Sequence, residues 1–433
     1  MRVLVVGGGG REHALVWRLA RDDRVTSILA APGNAGIAGL AECRAVPADD
    51  VAGLVALVER ERVELTVVGP EGPLVAGLVD ELEARGHAAF GPTGAAARIE
   101  GSKAWAKDLM RRAGVPTARS ATFTRGDWDR DRGRVLAFLR DDLDGGPAVV
   151  KADGLAAGKG VVVADSATEA TAAVEAALGD GAFGQAGESI VIEERLVGPE
   201  VSAFALSDGV TVAPLALAQD FKRVGDGDVG PNTGGMGAFS PVPLVDDSTA
   251  ERIRVEILER TVRAMAEEGV PFRGVLYAGI MLTDAGPHTL EFNARFGDPE
   301  TQVLMPRLVS SPSALLLACA EGTLADAAIE VDPRAAVTVV LASGGYPGAY
   351  ESGAPIEGLA AAEDAGATVF HSGTAERGGR VVTAGGRVLS VTATGASVAE
   401  ARERAYEACA RISFPGMHHR TDVAALVGRE ERT

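Results

Sequence analysis

The sequence predicts an α/β and α+β multidomain protein, with an N-terminal doubly wound parallel sheet, a middle region of α+β units and a C-terminal α+β domain. Three observations carry this expectation. The chain has 433 residues, room for about two to four domains. Near the N-terminus, short apolar runs alternate with helix-length segments, the pattern of a parallel sheet with crossover helices. Hydrophobic residues make up 46% of the chain, so several cores can be buried.

Taken in order, Val3–Val6 is a buried strand candidate, and the glycines at 7–10 turn it into a helix from about Glu12 to Arg21. Ile28–Ala30 and Leu65–Val68 are further strands, with helices expected over Asp50–Glu61 and Leu74–Arg85. A helix is expected over Gly101–Ala113, then a solvated loop or helix start in the charge-dense stretch 125–134. Ala148–Lys151, Val161–Ala164 and Ser189–Glu193 are strands around a helix at Ala167–Leu178. Strands near Val201–Leu206, Val275–Leu282 and Leu290–Asn293 accompany a long helix, Thr249–Glu268. The last part alternates again, with strands Ala336–Ala342, Thr368–Ser372 and Val388–Thr394 and a helix Ser397–Ile412, before the charged end Arg429–Thr433.

The chain carries 42 basic and 60 acidic residues, a formal charge of −18. Such a surface repels nucleic acid and anionic membranes, so neither is an expected partner. An anionic substrate then needs a local cluster of Arg, Lys and backbone N–H groups. Cys43, Cys319 and Cys409 are odd in number and far apart, which points to a reducing cytoplasm rather than a disulfide framework. The apolar run after Met1-Arg2 is too short for a signal peptide, and no stretch has the ~18 apolar residues of a membrane helix.

Five segments carry chemistry. In Gly7-Gly8-Gly9-Gly10-Arg11-Glu12-His13, a Gly-rich turn at a helix N-terminus offers N–H groups to a phosphate, and Arg11 can add a bidentate contact. It departs from the dinucleotide fingerprint, because Glu12 stands where that pattern has Gly; a plain tight turn is the alternative. Lys151 to Gly160 (KADGLAAGKG) is a loop able to fold over a triphosphate, with Lys151 and Lys159 as cations. It departs from a P-loop, since Gly160 replaces the magnesium-binding Ser/Thr. Glu193-Glu194-Arg195-Leu196 through Glu200 offers acceptors for an adenine amino group or ribose hydroxyls, or is an ordinary acidic turn. Gly230–Gly237, preceded by Lys222-Arg223, has too many glycines to pack as an element and reads as an anion-binding loop or a linker. In Leu290–Glu300, Glu291, Asn293 and Arg295 share one strand face while Phe292 and Ala294 take the other. A carboxylate beside an amide oxygen suits a hard cation such as magnesium, and a polar edge strand is the alternative. The pair His418-His419 lacks a third ligand, and His13 and His87 read as structural.

Together these segments, with APGNAG, TVVGPEGPLVAGLVD, EGSKAWAKDLM, NTGGMGAFSP, LEFNARFGDPETQ, ASGGYPG, VFHSGT and GGRVLSVTA, resemble the ATP-grasp superfamily. Within it, from residue 1 to about 425, the chain resembles the phosphoribosylamine–glycine ligases. The resemblance implies an ATP-grasp fold: an N-terminal substrate-binding domain at 1–102, a central domain at 103–122 and 192–328, a small lid at 123–191, and a C-terminal domain at 329–433. It implies a cytoplasmic carbon–nitrogen ligase of purine biosynthesis, a monomer or weak homodimer that joins glycine to phosphoribosylamine using ATP and Mg²⁺ or Mn²⁺.

Carried over by position, Lys107, Lys151, Asp153, Gly154, Gly158 and Gly160 fall at the ATP phosphates. Glu193, Glu194 and Leu196 fall at the adenine and Glu200 at the ribose. Glu291 and Asn293 match the metal positions. Arg295, Asp298 and Lys159 are implied to be catalytic, with Gly297 at the acceptor or acyl phosphate. Gly9, Gly10, Arg11, Pro32, Gly33 and Asn34 resemble the phosphoribosylamine pocket, with Gly69, Pro70 and Glu71 beside it. Gly8 replaces an Asn found in some relatives, so only a backbone contact is expected there.

Overall fold

The computed structural model describes residues 1–154 and 160–425; the expected loop residues Gly158 and Lys159 and the charged end lie outside the described residues. The first unit is a five-stranded parallel sheet. Its spatial order is Glu42–Cys43, Ser27–Pro32, Arg2–Gly7, Leu65–Val68 and Ala89–Phe90. Period-two alternation explains its two covered faces. Val3 and Val5 pack with Leu15, Val16 and Leu19 of the helix Gly10–Leu19. Leu4 and Val6 pack on the other side with Leu54, Leu57 and Val58 of the helix Val51–Glu61.

Two expected helices are each divided in the structure. Leu74–Arg85 becomes Glu71–Val75 and Leu78–Glu83, separated by Gly77 at φ +83°. A left-handed residue cannot continue a right-handed helix. The helix expected from Gly101 starts at Lys103, because Ser102 is extended and accepts from Trp105 N–H; the preceding turns form Gly94–Gly101. The charge-dense stretch is a helix, Arg125–Ala137, begun by a Thr124/Asp127 capping box and kinked at Asp131.

An antiparallel sheet of Ser120–Thr124, Ser189–Glu194, Ala148–Ala152 and Val161–Ala164 has its own core around Val150, Ile190 and Ile192. A second antiparallel sheet runs Val212–Pro214, Glu200–Asp208, Arg273–Thr283 and Gly286–Asn293, the last at its edge. The third joins Gln219–Asp220 and Gly237–Ser240 to Ala335–Ala342, Arg387–Gly395 and Thr368–His371. The Gly-rich segment expected as a loop or linker partly packs as strand instead: Val229–Asn232 pairs with Arg223–Gly225 in a two-stranded sheet, and Gly237 opens a strand of the C-terminal sheet, because backbone partners rather than side chains hold it. A Cβ at Gly237 would lie 2.7 Å from Val423 and 2.8 Å from the Thr338 carbonyl oxygen, so glycine permits that pairing. Among the described residues, no helix is long and apolar enough to cross a membrane.

Candidate active site

Three groups of side chains meet where these sheets converge. The first is cationic. Lys107 comes from the helix Lys103–Ala113 and Lys151 from the strand Ala148–Ala152. Both ammonium groups converge on Glu193 Oε2, at 3.2 and 3.0 Å. Lys107 also donates to Thr117 Oγ1 (2.6 Å) and Lys151 to the Leu290 carbonyl (3.0 Å). Burial pushes Lys107 down to about 8, against the attraction of Glu193. Glu193 Oε1 is buried without a partner among the described residues. Asp153 accepts from Ala104 N–H (3.1 Å) and Ser102 Oγ (3.3 Å), and Lys103 Nζ donates to the Gly154 carbonyl (3.0 Å). The carboxylate thus anchors the base of the loop on a helix N-terminus. Gly160 closes the other side, its carbonyl accepting from Ala152 N–H (2.7 Å). Glu194 points elsewhere, accepting from Arg119 N–H and Nε at 2.8 and 2.7 Å, and Leu196 lies half-buried beyond the strand end.

The second group lies on the edge strand Gly286–Asn293 and the turn after it. Glu291 and Asn293 are half-buried while Phe292 and Ala294 are buried, so the expected alternation is present. Burial alone would raise the Glu291 carboxyl; Lys151, Lys222, Lys103 and Arg295 outweigh it and hold it below the usual range. Lys222 forms an ion pair with Glu200. Next to them, burial pushes Asp220 up to about 7 despite Lys222. Arg295 bridges regions: its guanidinium reaches Glu71 (3.3 Å), Glu100 (3.1 Å) and Asn293 Oδ1 (3.2 Å). Burial keeps the Glu100 carboxyl above its usual range even beside Arg295.

The third group surrounds the Gly-rich turn. Gly9 N–H donates to Glu12 Oε2 (2.6 Å), so this amide is committed within the turn. Arg11 is 7% exposed, and its guanidinium donates to Glu12 and to the Phe296 carbonyl (3.2 Å), turned toward the interior. A Cβ at Gly8 would lie 2.5 Å from the Gly33 carbonyl oxygen, and one at Gly69 would lie 2.1 Å from Glu12 Oε1. In this backbone a side chain at position 8 would need the Gly33 carbonyl to shift, and one at position 69 would need the buried Glu12 side chain to move. Pro70 starts the helix that carries Glu71. After Pro32 and Gly33, the Asn34 side chain is fully used: Nδ2 donates to the carbonyls of Gly8 (2.8 Å) and His371 (2.7 Å), and Oδ1 accepts from Gly36 and Ile37 N–H.

Asp298 overhangs this turn. Cβ atoms at Gly9 and Gly10 would lie 3.5 and 3.6 Å from its oxygens. Its Oδ1 accepts from Gln302 (2.7 Å), and its Oδ2 lies 3.2 Å from Arg387 Nη2. Burial would raise the Asp298 carboxyl, but Arg387 and Arg11 hold it below the usual range. Gly297 precedes it, backed by Glu300, which accepts from Tyr277 (2.7 Å) and Ser202 (3.2 Å). Glu100, Arg387 and Gln302 also reach these groups, though no sequence signal marks them: Glu100 and Arg387 stand in EGSK and GGRVLSVTA, and only the tertiary contacts show that they touch Arg295 and Asp298.

The chain matches family models across most of its length. Residues 1–100 match the phosphoribosylglycinamide synthetase N domain, residues 101–301 its ATP-grasp (A) domain, and residues 336–426 its C domain. A phosphoribosylamine–glycine ligase of Streptomyces coelicolor is 54% identical over 429 residues, covering 98% of this chain and 99% of the relative. The crystal structure of phosphoribosylamine–glycine ligase from Thermotoga maritima superposes with a TM-score of 0.81 at 35% identity, covering 98% of this chain and 100% of that one. The biotin carboxylase domain of 2-oxoglutarate carboxylase from Hydrogenobacter thermophilus, in complex with MgADP, ADP and bicarbonate, shares the fold. Its TM-score is 0.71 at 17% identity, over 96% of this chain and 91% of that domain.

Proposed function

The chain belongs to the phosphoribosylglycinamide synthetase family, and from that premise we propose how its three side-chain groups divide the work of an ATP-dependent carbon–nitrogen ligase. The reaction joins glycine to 5-phospho-β-D-ribosylamine, giving glycinamide ribonucleotide, ADP and phosphate, the second step of purine (IMP) biosynthesis. A glycine carboxylate oxygen attacks the γ-phosphorus of ATP and ADP leaves. The ribosylamine nitrogen then attacks the glycyl phosphate carbon, and phosphate departs as the amide forms.

Lys107, Lys151 and the loop from Asp153 to Gly160, Lys159 included, take the triphosphate. Glu193, Glu194 and Leu196 lie toward the adenine and Glu200 toward the ribose. Glu291 and Asn293 fit a divalent cation: both are hard oxygen donors on one strand face, and neighbouring cations keep Glu291 ionised. Bound there, Mg²⁺ or Mn²⁺ supplies charge neutralisation at phosphate oxygens. Arg295, oriented by Glu71 and Glu100, faces the acyl phosphate. Asp298, Gly297 and the Gly9–Gly10 turn face the amine. Catalysis is then positioning plus electrostatics, with no protein nucleophile. Closure of the unit at 123–191 excludes water from an acyl phosphate that hydrolyses readily. The acidic surface and the substrates suit a cytoplasmic enzyme.

The convergence of Lys107 and Lys151 on Glu193, with Lys151 bonded to the strand that carries Glu291, is the observation that carries this division of roles. The test is ADP release with MgATP, glycine and phosphoribosylamine made in situ, omitting each in turn. Release only with all three present is expected. Release dependent on bicarbonate or formate instead of glycine would overturn the substrate assignment.

A further inference from the structure

The C-terminal glycine-rich motifs have no part in the chemistry above, yet two of them close directly on the site. Gly234, in the loop before Gly237–Ser240, is held on both sides of its α-carbon. Its N–H donates to the Tyr346 hydroxyl (3.1 Å), and its carbonyl accepts from Arg387 Nη1. The same guanidinium donates to the Asp298 carbonyl (2.7 Å) and lies 3.2 Å from the Asp298 carboxylate.

The packing leaves no room for other residues. A Cβ at Gly234 would sit 2.9 Å from Arg387 Cζ, one at Gly235 (φ +108°) 2.4 Å from Pro299, and one at Gly386 2.3 Å from the Tyr346 ring. Asp298 in turn overhangs Gly9 and Gly10. A loop this rich in glycine has few side chains with which to hold itself and loses much backbone freedom when ordered. Thr233 holds the loop to the Lys222 carbonyl and accepts from Gly235 N–H, and Gly234 takes its partners from outside the loop.

We propose that Tyr346 and Arg387 are positioning residues for the amine-acceptor side of the ligation, clasping Gly234 and Asp298 so that loop 230–237 and the Gly9–Gly10 turn form one wall of the acceptor pocket. The inference rests on the ligase reading and adds to it a role for the C-terminal domain. The nucleotide lysines stand on another helix and another sheet, so the clasp separates acceptor kinetics from nucleotide binding.

The experiment compares wild type, R387A, R387K and Y346F in the three-component ADP-release assay. Calorimetry measures ATP affinity, and amide hydrogen exchange follows peptides covering 230–240. R387A lowers kcat/KM for phosphoribosylamine by on the order of 10²-fold, the effect of misplacing a reacting group by about 1 Å. Y346F, which removes one neutral hydrogen bond, lowers it by roughly 3–10-fold. R387K recovers part of the loss, and ATP affinity stays within about twofold of wild type. Exchange over 230–240 quickens in R387A and Y346F.

Acceptor kinetics within about twofold of wild type for both Y346F and R387A would overturn the proposal, as would a parallel loss of ATP affinity. Should R387A fail to fold, Y346F decides the matter. If wild type releases no ADP with these substrates, the ligase reading falls separately, and unchanged exchange over 230–240 in Y346F then rejects the clasp itself.

Discussion

Replacing Glu193 with Gln removes one buried charge at nearly constant shape. Glu193 Oε2 lies 3.0 Å from Lys151 Nζ and 3.2 Å from Lys107 Nζ, on a residue only 2% exposed. Burial already brings Lys107 down to about 8 with the carboxylate in place. At an effective dielectric of ~20, a unit pair at this separation attracts by roughly 5 kcal/mol, an upper bound of about 4 pKa units. Even a quarter of that brings Lys107 to about 7, half deprotonated at neutral pH. At pH 7.5 about three-quarters of Lys107 is then neutral before ATP binds, so affinity falls by roughly 3-fold, rising toward the ~10–100-fold worth of a lost charge-assisted hydrogen bond if the drop is larger. The sign of the pH dependence follows. In wild type, affinity weakens as pH rises through about 8 and Lys107 loses its proton; in Glu193→Gln the weakening begins at lower pH. Calorimetric titration of ATP from pH 6 to 9, with both proteins, measures both effects. Unchanged affinity together with an unchanged pH midpoint would refute the reasoning and detach Glu193 from the phosphate lysines.

Glu291→Gln should leave the fold intact and lower turnover by on the order of 10²-fold, with Mg²⁺ titration midpoints shifted upward; near-wild-type turnover would remove Glu291 from the metal site. The buried pair His13 and His371 predicts acid sensitivity. The His371 N–H donates to His13 Nδ1 (2.7 Å). Burial, then His371, lowers His13 to about 3, and burial lowers His371 to about 4, both from an ordinary 6.5. The unfolded chain therefore binds more protons below 6.5, and stability present above that pH is lost as pH falls toward these values. At pH 5 each histidine accounts for ~2 kcal/mol of that loss. His13→Asn keeps an acceptor and should lose ~2 kcal/mol less than wild type between pH 7.5 and 5 in urea unfolding; equal losses would contradict the assignment.

The sequence by itself determined what depends on near neighbours. Alternation in Val3–Val6 assigned two faces of the first sheet, and alternation in Glu291–Arg295 assigned one polar face, because side-chain direction follows from backbone periodicity. The Gly-rich turn after the first strand was legible for the same local reason, and the ordered motifs carried the family; Gly230–Gly237, expected as a loop or linker, instead contributes to the strands Val229–Asn232 and Gly237–Ser240, which distant pairing decides. Tertiary structure alone decided which partner each polar group takes. Arg11 turns inward to a carbonyl 285 residues away, and Asn34 is spent on a carbonyl 337 residues away. Glu193 reaches two lysines on different elements, and Gln219–Asp220 and Gly237–Ser240 join a sheet built from the C-terminal region. A buried charge or N–H takes whatever partner the packing of distant segments brings within reach, since leaving it unmatched costs more than most other choices in the fold. Local periodicity carries no record of that packing.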